Sequence, residues 1–288
     1  MRVIVTGGEG FVGSNLIKHL VQQDEIHSVF SLDNQFTSSK DNIVHNKKVR
    51  YWTGSTTSIN RILMNWDVDA VFHFGEYSRI DPSFDDLDDV FNYNMKGTWE
   101  VIQYCKKKKI PMIYSGSSSK FGHDKNQHLS PYAWTKAKNT EIIKNFSDWF
   151  GLEYKILYFH NVYGPGQIME GKYATVIGIF EKQVENDKPI TVVSPGSQRR
   201  DFTHVDDIVD GIWKAYKNAP PNTEFSLGTG TNYSIMEIAE AFDHTIEVIP
   251  SKRGERNTSL ADIENTTKVL KWRPTIDVIE YIKNKRRK

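Results

Sequence analysis

Met1-Arg2-Val3-Ile4-Val5-Thr6-Gly7-Gly8-Glu9-Gly10-Phe11-Val12-Gly13 opens the chain, and its reading decides the fold. Val3 to Val5 form a short β-branched run, as expected of a buried strand in a parallel sheet. Gly7, Gly10 and Gly13 follow at spacings of three, and an amphipathic pattern continues to Val21. The order is strand, glycine turn, helix start. Glycine permits the tight turn and removes the Cβ that would block close backbone approach, so amide N–H groups and the positive helix end can meet a diphosphate. Gly7, Gly10, Phe11, Val12 and Gly13 are therefore candidate dinucleotide-binding residues.

Working outward, Val29 to Leu32 read as a second strand ending in Asp33, about 20 residues beyond the last glycine. A carboxylate there can accept both ribose hydroxyls of an adenosine and would repel a 2′-phosphate, which points to NAD over NADP. Asn34 beside it joins the candidate cofactor contacts; the plainer reading of Asp33-Asn34 is a solvated turn.

A chain of 288 residues accommodates one large α/β domain or two closely packed lobes. The net charge of +1 gives no reason to expect nucleic acid or a membrane surface as a partner. Cys105 is the only cysteine, which excludes an internal disulfide or a cysteine-rich metal site; its expected role is packing. No apolar stretch approaches a membrane span, and the first strand leaves no room for a signal peptide, so a cytoplasmic location is expected. The basic run Lys106 to Lys109 reads as a solvated surface, and the closing Lys-Arg-Arg-Lys as a frayed tail.

Further along, Val49 to Trp52 read as a third strand and Asp69 to Gly75 as a fourth, which places Phe74 and Gly75 close to the cofactor. A helix is expected from Leu87 to Lys107, then a fifth strand, Met112 to Tyr114, feeding Ser115-Gly116-Ser117-Ser118-Ser119. Strands alternating with helices predict a doubly wound parallel sheet with right-handed crossovers. Hydroxyls at the C-terminal end of a central strand lie where small-molecule chemistry sits in such sheets. Ser130-Pro131 then opens a helix to Trp149 that carries Tyr132 and Lys136 on one face, one turn apart. A phenol that ionises near pH 10 is a poor base at neutral pH, but a neighbouring ammonium and an oxidised nicotinamide favour the phenolate. Ser117 would hold a substrate hydroxyl while Tyr132 takes its proton.

The remaining chain reads as a smaller C-terminal α/β substrate-binding lobe. Tyr173 to Glu185 is expected to be a helix with Val176, Ile177, Ile179 and Phe180 inward, Ile190 to Val193 a strand, and Phe225 to Gly230 a strand returning to the main sheet. The expected division is a Rossmann domain over 1–163 with returning segments about 201–229, and a lobe mainly over 164–288. The boundary is not one clean cut, and no linker or internal repeat divides the chain.

Six ordered motifs carry a resemblance. The glycine turn Thr6 to Gly13, Asn94-Met95-Lys96-Gly97-Thr98, the serine strand, Tyr132 with Lys136, Asn161-Val162-Tyr163-Gly164-Pro165-Gly166 and Arg200 to Asp207 occur in sequence order. Over nearly its whole length the chain resembles the extended short-chain dehydrogenase/reductase family of nucleotide-sugar epimerases and dehydratases. The resemblance implies that Ser117, Tyr132 and Lys136 are catalytic and that Asn94 supports the catalytic helix and the cofactor. It implies that Ser118, Asn161 and Arg200 contact a nucleotide-sugar substrate, expected to be UDP-linked, with a second basic contact near Lys252-Arg253, named here as Arg253. Asn161 has the alternative of capping a turn, and Arg200 of pairing with Asp201 or Asp206. The resemblance also implies a homodimer built through the helices from Leu87 and Tyr132, whose outward aromatics include Trp134 and Trp149; covering the sheet of their own subunit is the alternative role.

Dehydratases of this family carry an Asp-Glu pair directly after the catalytic hydroxyl residue, and decarboxylases usually a Glu at the second place. This chain has Ser118 and Ser119, whose hydroxyls cannot readily do that acid–base work. What remains is 4-epimerisation: oxidation of the sugar C4 hydroxyl, rotation of the 4-keto sugar, and return of hydride to the opposite face. A 4-reductase or dehydrogenase would use the same residues but exchange its cofactor each cycle, and a non-catalytic NAD-binding regulator is a remoter reading. Several residues depart from the family pattern. Gly54-Ser55 replaces Gly-Asp, Gly75-Glu76 replaces Ala-Ala, and Arg79 replaces a small residue. Glu76 and Arg79 form an internal ion pair or else recognise an unusual polar sugar. Ser259, at a sugar-lining position of the family, is small and leaves room for an N-acetyl group at C2.

Overall fold

A computed structural model describes residues 1–120, 130–251 and 257–286. In β1 (Arg2–Thr6), Val3 and Val5 pack into the core on one face of a sheet and Ile4 into the core on the other, all three fully buried. Such a strand needs cover on both faces. The chain continues through α1 (Phe11–Leu20), β2 (Ser28–Asp33), β3 (Val49–Thr53), α2 (Ile59–Leu63) and β4 (Ala70–His73). Next come α3 (Leu87–Val90), a π-helical stretch (Phe91–Gly97), α4 (Thr98–Lys108), β5 (Met112–Ser117), α5 (Pro131–Phe150) and β6 (Tyr154–Phe159). The second half holds β7 (Val162–Tyr163), α6 (Val176–Glu185), β8 (Ile190–Val193), β9 (Arg199–Arg200), β10 (Thr203–His204), α7 (Val205–Asn218) and β11 (Thr223–Leu227). It closes with β12 (Tyr233–Ser234), α8 (Ile235–Ala241), β13 (Ile246–Ile249), α9 (Glu264–Leu270) and α10 (Val278–Arg286).

Seven strands form one parallel sheet in the order β3-β2-β1-β4-β5-β6-β11. Val3 is in register with Val29 on one side and Ala70 on the other, so the strand order reverses direction at β1 and β4. That reversal leaves a crevice at the carboxyl ends of the two strands, where open α/β sheets bind ligands. One core joins Val3, Val5, Phe72 and Leu157 to Leu16 and Ile17 of α1 and Ile208 and Ile212 of α7. The opposite core joins Ile4, Val71, Tyr114 and Ile156 to Val101 and Ile102 of α4 and Ile143 of α5. Cys105 is buried in this second core, as its packing role requires, and burial raises its thiol pKa. The fold is therefore the doubly wound α/β architecture expected from the sequence. A third cluster, with Ile177, Phe180, Ile190, Val192, Ile238 and Phe242, belongs to the smaller α/β layer around the β8–β13 pair.

Some boundaries differ from the sequence reading, each for a local reason. β4 ends at His73, where the Thr6 hydroxyl accepts the Gly75 N–H (3.0 Å) and shares the Phe74 N–H (3.1 Å) with the Thr6 carbonyl (3.3 Å). β5 runs on to Ser117 because it pairs as far as Ser117–Phe159 with β6, a strand the sequence reading does not include. Its signals are present: Gly151 closes α5 in the left-handed conformation, and an aromatic and β-branched run follows. α6 begins at Val176 and not at Tyr173, since the Thr175 hydroxyl caps it by accepting the Gly178 N–H. The helix expected over Leu87–Lys107 contains the π-helical stretch, whose Asn94 carbonyl accepts the Asn139 side-chain amide (2.8 Å).

Candidate active site

A cavity of about 550 Å³ runs from the β1–α1 turn, past the end of β5, to the smaller layer. Its size is that of a ligand site. At one end Gly7 has φ +68°, and a Cβ on Gly13 would lie 2.1 Å from the Gly7 carbonyl oxygen. Only glycine fits so close an approach. Gly10 caps α1 without any side-chain acceptor, so the N–H groups of its first turn are left to a ligand. This cradle fits a dinucleotide diphosphate.

At the end of β2 the Asp33 carboxylate accepts the N–H groups of Glu9 (3.0 Å) and Gln35 (2.7 Å). Burial raises its pKa, against the lowering effect of those bonds. Glu9 is buried beside it and is raised first by burial and further by the Asp33 charge. Two carboxylates here are hostile to a ribose 2′-phosphate. Glu9 is the part of this argument that the sequence reading did not use.

The end of the cavity that holds the candidate catalytic groups is built from β5 and α5. Ser117 Oγ accepts from the Ser119 N–H (3.2 Å) and the Ser119 hydroxyl (2.8 Å), which leaves the Ser117 proton to donate. α5 starts sharply because Ser130 accepts the Ala133 N–H (3.1 Å) and Pro131 stands in the first turn. Tyr132 and Lys136 thus lie on the first two turns, both lining the cavity. Lys136 Nζ donates to the Ser115 carbonyl (2.7 Å) and is ion-paired with Glu76.

Glu76 and Arg79 do not pair with each other, which removes that alternative. The Glu76 side chain is 1% exposed and also accepts from the Thr98 hydroxyl (2.6 Å), the Tyr114 hydroxyl (3.0 Å) and the Asn139 amide (2.8 Å). The network continues to His73, whose Nε2 meets Thr98 Oγ1 at 2.9 Å and whose Nδ1 meets Thr6 Oγ1 at 2.7 Å. Thr98 gives its proton to Glu76, so Nε2 is the donor to Thr98. Thr6 already accepts two backbone N–H groups, so its proton goes to Nδ1. His73 is therefore neutral, and burial lowers its pKa to about 4.

The other candidates fall as follows. Asp33, Asn34, Phe74, Gly75, Ser117, Ser118, Asn161 and Arg200 line the same cavity as the glycine turn, Tyr132 and Lys136. Asn94 does not: it is fully buried, accepting the Tyr77 N–H (2.7 Å) and donating to Thr135 (2.9 Å), and so braces α5 from behind. Asn161 donates to the Asp201 carbonyl (2.8 Å) with φ +28°, so it closes a turn as well as lining the cavity. The Asp201 carboxylate is directed to the N–H groups of Thr229, Gly230 and Ala261, and Arg200 donates to the Arg199 carbonyl (2.9 Å). Ser259 is buried against the cavity, and its hydroxyl has no hydrogen-bond partner among the described residues. Arg253 lies outside the described residues.

Comparison with known proteins agrees with this geometry. The model of the NAD dependent epimerase/dehydratase family matches residues 3–228. A putative UDP-glucose 4-epimerase of Methanocaldococcus jannaschii is 32% identical over 303 residues, covering 98% of this chain and 96% of its own. A UDP-N-acetylglucosamine 4-epimerase of Methanobrevibacter ruminantium, solved with UDP-N-acetylmuramic acid, aligns with a TM-score of 0.89 at 25% identity over 98% of this chain and 96% of its own. A dTDP-glucose 4,6-dehydratase of Streptomyces venezuelae shares the fold (TM-score 0.90, 20% identity, 100% of this chain and 96% of its own), so the architecture hosts more than one reaction. The chain belongs to the NAD-dependent epimerase/dehydratase family, and its cofactor is NAD.

Proposed function

We propose that this protein is a nucleotide-sugar 4-epimerase acting on a UDP-linked hexose. The observation that carries the reading is the arrangement at the end of β5: Ser117, Tyr132 and Lys136 share one cavity with the glycine turn, and the residues after Ser117 are serines. Elimination of water from the sugar needs an acid and a base at those places. The carboxylate nearest the reacting lysine, Glu76, already has its oxygens engaged by Lys136, Thr98, Tyr114 and Asn139.

In this reading Ser117 donates to the C4 oxygen and orients it, while Tyr132 takes the C4 hydroxyl proton. NAD, when bound, supplies the acceptor and then the donor of the C4 hydride. After the sugar turns over in the cavity, Tyr132 returns its proton to the new hydroxyl. No net redox change results, so no second reductant is needed. Lys136 sets the electrostatics of Tyr132 from one helical turn away. Arg200 takes the substrate diphosphate, for which a guanidinium fork is suited, with Asn161 and Ser118 as further contacts. The layer from 164 to 288, apart from the returning segment about 201–229, is the substrate lobe. The exposed aromatic face of α4 and α5 is the homodimer interface.

An NMR time course of the purified protein with UDP-glucose and UDP-N-acetylglucosamine, without added cofactor, tests this. The 4-epimer is expected to appear. Turnover that requires a continuous external supply of NAD or NADH would move the assignment to a dehydrogenase or reductase, and a 4-keto-6-deoxy product to a dehydratase. The ratio of the two rates tests whether the small Ser259 leaves room for the N-acetyl group.

A further inference from the structure

Arg79 lines the cavity with Ser117 and Tyr132, and Tyr173, whose carbonyl it meets, packs in one cluster with Tyr132. Its Nε donates to the Tyr173 carbonyl (2.5 Å), and its Nη1 to the Ser78 carbonyl (2.9 Å) and hydroxyl (3.2 Å). All three acceptors are neutral. Nη2 makes no hydrogen bond to the described residues, and no described carboxylate lies within ion-pair distance of the guanidinium. Two acids of this corner are committed elsewhere. Glu76 is paired with Lys136, and Asp86 holds Lys172 together with the Tyr77 and Tyr173 hydroxyls. Arg79 is partly buried, and that burial lowers its pKa.

A partly buried charge that faces a ligand cavity calls for a partner. Here the backbone carbonyl of Tyr173 fixes the guanidinium plane while part of its fork remains open, a geometry that suits a bidentate anion. Because Arg79 shares the surroundings of Tyr132, that anion belongs beside the reacting carbon, away from the diphosphate assigned to Arg200. We infer that Arg79 is a specificity residue that pairs with a carboxylate carried by the sugar itself, so that the preferred substrate is a nucleotide-linked sugar acid. This rests on the 4-epimerase reading for the reaction but not for the binding.

The test compares matched pairs on the NAD-loaded full chain: UDP-glucuronate against UDP-glucose, with a carboxylate at C6, and UDP-N-acetylmuramate against UDP-N-acetylglucosamine, with a lactyl carboxylate on O3. For one of the pairs, kcat/KM is expected to favour the acid at least tenfold. Arg79→Ala is expected to lower the acid-to-neutral ratio by roughly 30-fold, and Arg79→Lys to lower it less, since it keeps the charge and loses the fork. If Arg79→Ala does not fold, Arg79→Gln carries the same comparison. An acid-to-neutral ratio near one in the unaltered protein, or equal losses on both members of a pair, would overturn the inference; equal losses would make Arg79 a support for Tyr132. If none of these sugars is epimerised, the epimerase reading fails separately, and calorimetric Kd ratios for the same pairs and variants decide the role of Arg79 by the same criterion.

Discussion

At Glu76 one carboxylate answers four donors, and its position next to Lys136 links the stability of the site to its chemistry. Glu76→Ala would strip a buried ammonium of its counter-charge, a change expected to lower unfolding free energy by about 3–5 kcal/mol in denaturant titrations. Glu76→Gln keeps hydrogen-bonding atoms in place and should cost less; equal losses in the two variants would place the effect in packing and not in charge. At Tyr132, removal of the hydroxyl alone should be decisive for turnover. Tyr132→Phe is expected to reduce kcat by roughly 100- to 10,000-fold while nucleotide-sugar binding persists in calorimetry. Unchanged turnover would end the proposed acid–base role. Ser117, Tyr132 and Lys136 could be named as candidates from sequence because Tyr132 and Lys136 are separated by one helical turn and the serines end a strand, and the structure brings all three to one cavity. The partner of Lys136 was not, since Glu76 lies 60 residues away along the chain.

Elements set the electrostatics and the fit of the site. His73 at the end of β4 is neutral, and its pKa falls from 6.5 to about 4 in the fold because burial disfavours the charged ring. The unfolded chain therefore binds the extra proton first. The stability tied to a neutral His73 is complete above pH 6.5 and is lost as pH falls toward about 4, a loss of roughly 3 kcal/mol. Protonation would also require Nδ1 to donate to Thr6, whose oxygen already accepts from Phe74 and Gly75. Unfolding free energies at pH 7 and pH 4.5 should differ more in the unaltered protein than in His73→Asn; equal differences would remove His73 from the account. In the β1–α1 turn, Gly13→Ala would drive a methyl group against the Gly7 carbonyl. Spreading that turn is expected to weaken NAD binding at least tenfold by fluorescence titration, at a stability cost of about 1–3 kcal/mol. The turn was readable from three spaced glycines. β6 was passed over although Gly151 and the run after it could be read locally; its pairing with β5 and β11, which places it in the main sheet, lies outside any local window.

Across the whole molecule the cavity joins surfaces contributed by the central sheet and the smaller layer, while a separate face remains apolar. Leu87, Phe91, Trp99, Trp134, Trp149 and Phe150 are all exposed, on α3, α4, α5 and the π-helical stretch between the first two. So many large apolar side chains in adjoining elements mark an interaction surface. Light scattering is expected to give the mass of two chains, and a Trp134→Glu, Trp149→Glu double variant the mass of one with NAD still bound. A monomeric unaltered protein would assign these aromatics to another role. Among the described residues no helix is long and apolar enough to cross a membrane.

What the sequence determined alone is what short-range chemistry encodes. β-branched runs, spaced glycines and a one-turn Tyr-Lys pair dictate strand, turn and helix whatever their neighbours, and together they place the glycine cradle and the candidate reacting groups. The tertiary structure decided which charges meet. Glu76 and Arg79, three residues apart, look like natural partners on paper, yet the chain leaves β4 so that Glu76 turns inward to Lys136 while Arg79 rests on the Tyr173 carbonyl. Ion pairs are set by burial and by which side chains the sheet and helices bring within a few ångströms, and sequence separation does not record that distance.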